Sequence, residues 1–485
     1  MRVRREKVDR LRERGIDPYP LGFPRTDTAA DVRKRFGDLE ADTATGERVT
    51  VAGRVMLSRN TGKLCFATLQ DGTGRLQVMV SLAQVGEESL AAWKADVDRG
   101  DQVGVEGEVI TSRRGELSVL VDSWAITSKA LRPLPEKWLG LADPEARVRQ
   151  RYVDLLVNPD SRRVLEIRAA VTNALRDSMR ERGFLEVETP MLQVIPGGAT
   201  ARPFVTHINA YDLPLYLRIA PELYLKRLLV GGVEKVYEIN RNFRNEGVDR
   251  SHNPEFTMLE AYEAYGDYDS IGALTRDLYQ DAARAAFGST VVTHADGTEH
   301  DLGGEWRQVT MYGALAEALG EDVSPETARD KLAVLADKHG IEVHDSWGQG
   351  RIAEELFDEL VPPTLIAPTF VRDYPVETSP LVRSHRETPG VVEKWDLYIQ
   401  GVEAGTGYSE LIDPIEQRER FVAQAALGAA GDDEAMWLDE DFLRALEHGM
   451  PPAGGVGFGI DRLMLFLTGL PLRETITFPL VKPEQ

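Results

Sequence analysis

Cysteine is almost absent: Cys65 is the only one in 485 residues, which excludes an internal disulfide and a cysteine-based zinc cage. Any metal must then be held by oxygen or imidazole ligands. Long apolar runs are missing too; no stretch reaches about 18 residues, and Met1, Arg2, Val3, Arg4, Arg5, Glu6 and Lys7 lack the apolar segment of a signal peptide. A cytoplasmic protein without membrane association is therefore expected. Positive charge is the scarcer sign, 57 Lys and Arg against 79 Asp and Glu, for a net charge of −22. Such a surface repels a polyanion, so any contact with nucleic acid has to be local. One local basic segment exists: Arg2, Arg4, Arg5, Lys7, Arg10, Arg12 and Arg14 outnumber Glu6, Asp9 and Glu13 in an amphipathic helix ended by Gly15 and Pro18. The same segment also reads as a solvated helix face. Neither a GxxxxGK loop followed by Ser or Thr nor a GxGxxG turn is present where a nucleotide site would need one, which removes the P-loop and Rossmann solutions. Internal repeats and low-complexity tracts are also lacking.

What is present is a change of texture along the chain. From Val49 to Ile126, short alternating runs (Val49 to Met56, Leu64 to Leu69, Arg75 to Val80, Gln102 to Val109, Leu117 to Ala125) are separated by turn-like stretches such as Asp71-Gly72-Thr73-Gly74. Five short strands with a helical interruption from Leu82 to Val97 predict a small barrel of the OB type. A connector rich in Pro and charge follows, Leu131 to Lys137, and places a boundary near Ala142. Long helical spacing then begins at Ser161, with Val164, Ile167, Val171, Leu175 and Met179 on one face. The predicted organisation is a basic helix and lead-in over 1–48, the barrel over 49–126, a linker over 127–160 and a large domain over 161–485. Within the last, 268–360 is helical and poor in chemistry and reads as an insertion.

The most informative stretch runs from Tyr237 to Tyr265. Two alternating strands flank a polar loop holding Gly247 and Asp249, the pattern of an antiparallel hairpin with a long turn. Residues two apart share a face, which groups Asn242, Arg244 and Glu246 on one strand and Phe256, Met258, Glu260 and Tyr262 on the other. Few cores would tolerate that mixture. Nucleotide handling suits it: Arg244 can fork onto a phosphate, Phe256 offers a face for a purine, and Glu246 and His252 can hold polar edges.

Phe243-Arg244-Asn245-Glu246 followed by His252-Asn253-Pro254-Glu255-Phe256 resembles motif 2 of the class II aminoacyl-tRNA synthetases in its lysyl form. Gly455-Val456-Gly457-Phe458-Gly459-Ile460-Asp461-Arg462 is similar to motif 3, and Gly183-Phe184-Leu185-Glu186-Val187-Glu188-Thr189-Pro190 to motif 1, the dimer-forming segment of that family. The resemblance spans nearly the whole chain. It implies an α+β protein: an N-terminal OB-fold β-barrel, then a class II catalytic domain with a mixed, mainly antiparallel sheet flanked by helices.

The resemblance also assigns residues. ATP would meet Arg244, Glu246, His252, Asn253, Phe256, Glu403 and Arg462, with Arg244 and Arg462 as the catalytic pair. Lysine would meet Gly198, Glu222, Glu260, Tyr262, Thr406, Tyr408 and Glu410, and a carboxylate-lined pocket would reject neutral amino acids. Magnesium, a cation that favours hard oxygen ligands and phosphates, would be held by Asp396 and Glu403. Phe66, Gln70, Gln77 and Glu116 match positions that read the anticodon, although Phe66 on its own reads as core. Most lysyl enzymes have Asn at the positions of Thr406 and Ile412 and Glu at that of Asp396. A similar Thr-containing segment occurs in actinobacterial proteins that fuse a lysyl synthetase to a membrane lysyl-lipid transferase; no such membrane half is seen here.

The implied reaction begins with attack of the lysine carboxylate on the α-phosphate of ATP, giving lysyl-adenylate and pyrophosphate. The 3'-OH of the terminal adenosine of tRNA(Lys) then takes the lysyl group. A homodimer is implied as well. Two alternatives are a paralogue that passes activated lysine or an analogue to a non-tRNA acceptor, and a catalytically silent binding protein. An acidic substrate is opposed by Glu222, Glu260 and Glu410.

Overall fold

The computed structural model describes residues 1–135, 141–249, 252–429 and 435–483. Glu136 and Lys137 of the connector lie outside the described residues. The chain forms two compact units, Met1–Ala142 and Asp143–Gln485.

In the first unit, β1 (Ala44–Asn60), β2 (Leu64–Gln70), β3 (Arg75–Ser81), β4 (Gln102–Thr111) and β5 (Leu117–Ser128) close a barrel in the order β1-β2-β3-β5-β4. The alternation seen in the sequence is the cause: Cys65, Ala67, Leu69, Leu76, Val78 and Val80 point inward and are buried, while their neighbours face out. Helices α1 (Arg2–Glu13), α2 (Ala29–Phe36) and α3 (Leu82–Asp96) accompany the barrel. Much of the basic character of α1 is spent within this unit. Arg4 donates to the carbonyls of Ala130 and Arg99, both at 2.8 Å, and Lys7 and Arg14 pair with Asp98 and Asp96 at 2.8 and 2.6 Å.

The span 127–160 is not a plain linker. Lys129 is fully buried and pairs with Asp101 at 2.5 Å and Asp98 at 2.6 Å. In the second unit, Asp143 caps α4 (Pro144–Arg149), and α5 (Arg151–Val157) carries the buried Arg151 to Asp154 at 2.8 Å and to the carbonyls of Arg473 and Thr477. Buried charge with full hydrogen bonding fixes these segments in place.

The second unit is built on an eight-stranded sheet in the order β14-β15-β16-β17-β18-β11-β10-β6. Its strands are β6 (Leu185–Glu186), β10 (Lys235–Phe243), β11 (Glu255–Ala264), β14 (Arg307–Thr310), β15 (Thr369–Arg372), β16 (Lys394–Ile399), β17 (Val402–Ser409) and β18 (Ala453–Gly459). Within this sheet, among the described residues, only the pairs β10 with β6 and β14 with β15 are parallel. A separate three-stranded sheet holds β7 (Leu192–Gln193), β8 (Val205–Ile208) and β9 (Leu213–Leu217). One core joins the sheet to α6 (Pro159–Glu181), whose Val164, Ile167, Val171, Leu175 and Met179 are all buried, as their spacing predicted. Helix α7 (Glu222–Val230) follows β9 and contributes to a second cluster.

The expected helical insertion over 268–360 needs correction. Helix α8 (Tyr268–Phe287) lies in the main core, where Ile271, Leu278, Tyr279, Ala282 and Ala283 are buried and Tyr279 donates to the Ala404 carbonyl at 3.0 Å. The small hairpin β12 (Val291–Thr293) and β13 (Glu299–Asp301) comes next, and β14 then enters the sheet itself. Among the described residues, α9 (Met311–Leu319), α10 (Arg329–Lys338) and α11 (Gln349–Leu360) pack into a core separate from that of α8, which also takes in Val371 of β15 and Tyr398 of β16. A helix covered on one face has the same periodicity whether it sits in an insertion or on the central sheet, so the pattern could not separate the two.

Candidate active site and nucleic-acid face

Strands β10 and β11 pair antiparallel with Asn242 opposite Phe256, Asn240 opposite Met258 and Glu238 opposite Glu260. The hairpin is as expected, but β10 ends at Phe243, so Arg244 and Glu246 stand on the loop and not on the strand. Arg250 and Ser251 of that loop lie outside the described residues. Strand β18 pairs with β11 on one side and β17 on the other, and its glycines make room for the side chains of both neighbours. A Cβ on Gly455 would come within 2.0 Å of Glu410 and 2.6 Å of Tyr262, so nothing but glycine fits there.

These strands floor a cavity of about 400 Å³. Every residue assigned to ATP lines it: Arg244, Glu246, His252, Asn253, Phe256, Glu403 and Arg462. So do Gly198, Glu222, Glu260, Tyr262, Thr406 and Tyr408 of the lysine set. Gly198 has φ +87°, and a Cβ there would lie 2.9 Å from that of Glu222, which ties this loop to glycine twice over.

At one end, the Arg244 guanidinium carbon stands 5.2 Å from the centre of the Phe256 ring, and its Nε has no hydrogen-bond partner among the described residues. Arg462, in the first turn of α12 (Ile460–Thr468), donates to the Glu403 carbonyl at 2.8 Å and lies 3.6 Å from the Glu403 carboxylate and 3.4 Å from His252 Nε2. Glu403 keeps 46% of its side chain exposed but loses hydration in the cavity wall, which works against its charge; Arg462, Lys394 and Arg244 outweigh this and hold the carboxyl below its ordinary range.

At the opposite end, Glu222 begins α7, and its two oxygens are held by Lys226 at 2.6 Å and by the Tyr408 hydroxyl, which donates at 2.8 Å. Glu260 is 4% exposed, and burial together with the neighbouring Glu222 pushes its carboxyl up to about 8. The Tyr262 hydroxyl donates to Glu260 at 3.4 Å.

Two assigned residues do not line the cavity. Glu410 lies just past the end of β17, is 1% exposed, and pairs with the fully buried Lys226 at 2.5 Å. Asp396 is buried beside Lys394 Nζ at 3.0 Å. It nonetheless shares a face with Glu403, because Asp396 stands opposite Thr406 and Tyr398 opposite Glu403 across β16 and β17. Burial, with Glu403 adding to it against the pull of Lys394, raises the Asp396 carboxyl above its ordinary range. Two carboxylates of this kind fit magnesium as a partial oxygen set that substrate phosphates would complete. Lys226 and Lys394, which pair with these carboxylates, are the charged neighbours that sequence reasoning missed. The one available signal was the spacing of Glu222 and Lys226, four apart on an otherwise apolar helix.

The barrel residues also find places. Alternation on β2 and β3 puts Phe66, Gln70 and Gln77 on the outer face, with Thr68 opposite Gln77 and Phe66 opposite Met79. Phe66 is thus half-buried on the outside and is not core. Gln77 donates to Ser118 at 2.8 Å on β5, and Glu116, just ahead of that strand, lies 3.6 Å from Arg33.

Catalytic sheet and barrel together define a class of enzyme. Residues 143–482 match the model of the class II tRNA synthetases (D, K and N), and residues 49–127 match that of the OB-fold nucleic acid binding domain. Among individual relatives, a protein of Kineococcus radiotolerans named lysine--tRNA ligase is 62% identical over 485 residues, covering 100% of this chain and 97% of the relative. Lysine--tRNA ligase 1 of Mycobacterium tuberculosis is 58% identical over 489 residues, 99% of this chain and 97% of its own. The lysylphosphatidylglycerol biosynthesis bifunctional protein of Rhodococcus opacus is 53% identical over 489 residues, 100% of this chain but 43% of its own. The chain belongs to the lysine--tRNA ligase family of class II synthetases.

Proposed function

We propose that this protein activates L-lysine with ATP and transfers it to the 3'-terminal adenosine of tRNA(Lys). The observation that carries the reading is the polarity of one cavity. Its one end offers Arg244 and Arg462 to phosphate, and its other offers Glu222, Glu260 and two tyrosines to a diamino acid. Arg244 bridges the substrate carboxylate and the α-phosphate, and Arg462 takes the far end of the triphosphate, so the chain's contribution is orientation and charge stabilisation. Phe256 supplies an apolar face for the purine, and Gly198 lets the covering loop approach the amino acid. Glu222 and Tyr408 select the side-chain ammonium.

Magnesium is the metal this site suits, with Glu403 and Asp396 as its protein ligands; when bound it neutralises phosphate charge. The outer face of the barrel carrying Phe66, Gln70, Gln77 and Glu116 is assigned to the anticodon, where stacking on an aromatic ring suits an unpaired base. A homodimer is supported by the exposed apolar residues Leu185, Met191, Leu192, Val194 and Val205 around the segment after α6. No helix among the described residues is long and apolar enough to cross a membrane. Charging of purified tRNA(Lys) with labelled lysine is the test; lysine-dependent ATP consumption without charging would favour a non-tRNA acceptor instead.

A further inference from the structure

One of the two carboxylates assigned to magnesium is held by a cation of the chain itself. Lys394 and Asp396 are two apart on β16 and share a face, with Nζ 3.0 Å from Asp396 Oδ2. Lys394 lines the cavity and Asp396 does not, so the ammonium, and not the carboxylate it holds, meets whatever enters. The centre of the Tyr374 ring lies 4.2 Å from Nζ, a cation–π contact that steadies an ammonium without using its hydrogen-bond donors.

A further carboxylate stands near the pair. Glu354 of α11 keeps 14% of its side chain exposed; its Oε2 has no hydrogen-bond partner among the described residues, and the Arg351 guanidinium is 4.0 Å away, at the limit of an ion pair. Burial pushes the Glu354 carboxyl up, and of the charges opposing this Lys394 acts most strongly, ahead of Arg351. Burial works against the charge on Lys394 in turn, and Asp396, Glu354 and Glu403, in that order, outweigh it and hold the ammonium above its ordinary range. One lysine thus sits among three carboxylates and is bonded to one of them.

A divalent ion brought to Asp396 with Lys394 still in contact meets like charge in a partly dry wall, where repulsion is poorly screened. An arginine would be held in place by its planar fork. A lysine instead ends in a compact charge with three rotatable donors on a flexible stem, so it can change partners by rotating its own side chain. Glu354 Oε2 is a ready acceptor.

We propose that Lys394 is a placeholder for the metal, holding Asp396 until a divalent cation arrives and then passing to Glu354. Lys394 and Glu354 are on this account positioning residues, and neither ligates the ion. The ammonium neutralises Asp396 when the ion is away and Glu354 when it is bound, so the wall stays balanced in both conditions. The inference rests on the assignment of Asp396 and Glu403 to magnesium.

Direct metal binding tests it. Mn2+, which takes the same oxygen ligands as magnesium, would be titrated into the full chain without nucleotide and the free ion followed by electron paramagnetic resonance. Lys394→Met removes the competitor for Asp396, and the Mn2+ Kd should fall about 10-fold or more. Glu354→Gln removes the second partner of the lysine, and Kd should rise about 3- to 10-fold. In the double variant the effect of Glu354→Gln should vanish, with Kd within about twofold of Lys394→Met alone, because Glu354 acts only through the lysine. Thermal unfolding separates this from a merely structural role: Lys394→Met should unfold at a lower temperature than the parent without metal, and Mg2+ should raise its midpoint more than it raises the parent's. An unchanged or higher Mn2+ Kd in Lys394→Met overturns the proposal, and so do additive effects in the double variant. Should Lys394→Met fail to fold, an unchanged Kd in Glu354→Gln overturns it alone. Mn2+ binding that Glu403→Gln does not weaken overturns the magnesium assignment itself, which is a separate result.

Discussion

Arg168 and Asp461 form an ion pair of 2.5 Å between α6 and the residue next to Arg462. The other Asp461 oxygen accepts the Thr257 amide at 2.7 Å, and Arg168 also donates to the Thr257 hydroxyl at 3.1 Å. One buried carboxylate thus locks together α6, β11 and the start of the helix that carries Arg462. Arg168→Met leaves Asp461 buried without its partner, which should cost about 3–5 kcal/mol of stability. Urea unfolding of the second unit reads this as a lower midpoint, and a midpoint equal to the parent's would show that the pair carries no load.

Arg244→Ala should slow lysine-dependent pyrophosphate exchange by about 100- to 1000-fold, the usual consequence of removing a transition-state donor. Its Nε has no hydrogen-bond partner among the described residues, so the loss should fall mainly on chemistry. Steady-state exchange kinetics with circular dichroism as a check on folding would decide this, and near-parental exchange would remove Arg244 from its assigned role.

Glu260 carries a pH dependence with a definite sign. Burial, then Glu222, raises its carboxyl to about 8, above the ordinary 4.5. Between those values the folded protein holds a proton that the unfolded chain has released, so stability falls as pH rises through the window. The slope from this group is at most about 1.4 kcal/mol per pH unit. Glu260→Gln should therefore gain stability relative to the parent as pH rises from about 5 to 8. A substrate ammonium reverses the preference of Glu260 and should drive its proton off, so lysine binding near pH 7 should release protons in the parent and release fewer in Glu260→Gln. Calorimetric titration in buffers of different ionisation enthalpy measures that release; equal release by both proteins would contradict it.

Much of this was readable from residue order. The barrel strands announced themselves because each alternates inward apolar and outward polar residues over six or more positions, and α6 because its apolar residues keep helical spacing. The hairpin of β10 and β11 was legible for the same reason, and with it the grouping of Phe256, Glu260 and Tyr262. What could not be read depends on where an element ends or what stands behind it. Tyr408 and Glu410 were both assigned to the lysine pocket, but β17 stops at Ser409 and Glu410 turns toward Lys226. Lys226 and Lys394 make their pairs with residues set by the fold. Helix α8 looked chemically silent because its work is packing against the sheet.

Phe66→Ala should separate the functions of the two units. Losing one stacked base is worth about 1–3 kcal/mol, a rise of roughly 5- to 150-fold in the KM for tRNA(Lys). Lysine-dependent pyrophosphate exchange needs no anticodon and should be unchanged. Parallel charging and exchange assays would show it, and equal charging by both proteins would take Phe66 out of the anticodon face.

The most direct measurement is ATP–pyrophosphate exchange by the purified protein with lysine, ornithine, arginine or β-lysine as the only amino acid. A cavity with carboxylates at one end and arginines at the other predicts exchange that depends on lysine and is much weaker with the other three. Exchange that lysine does not stimulate, or that arginine or ornithine supports equally well, would contradict the account.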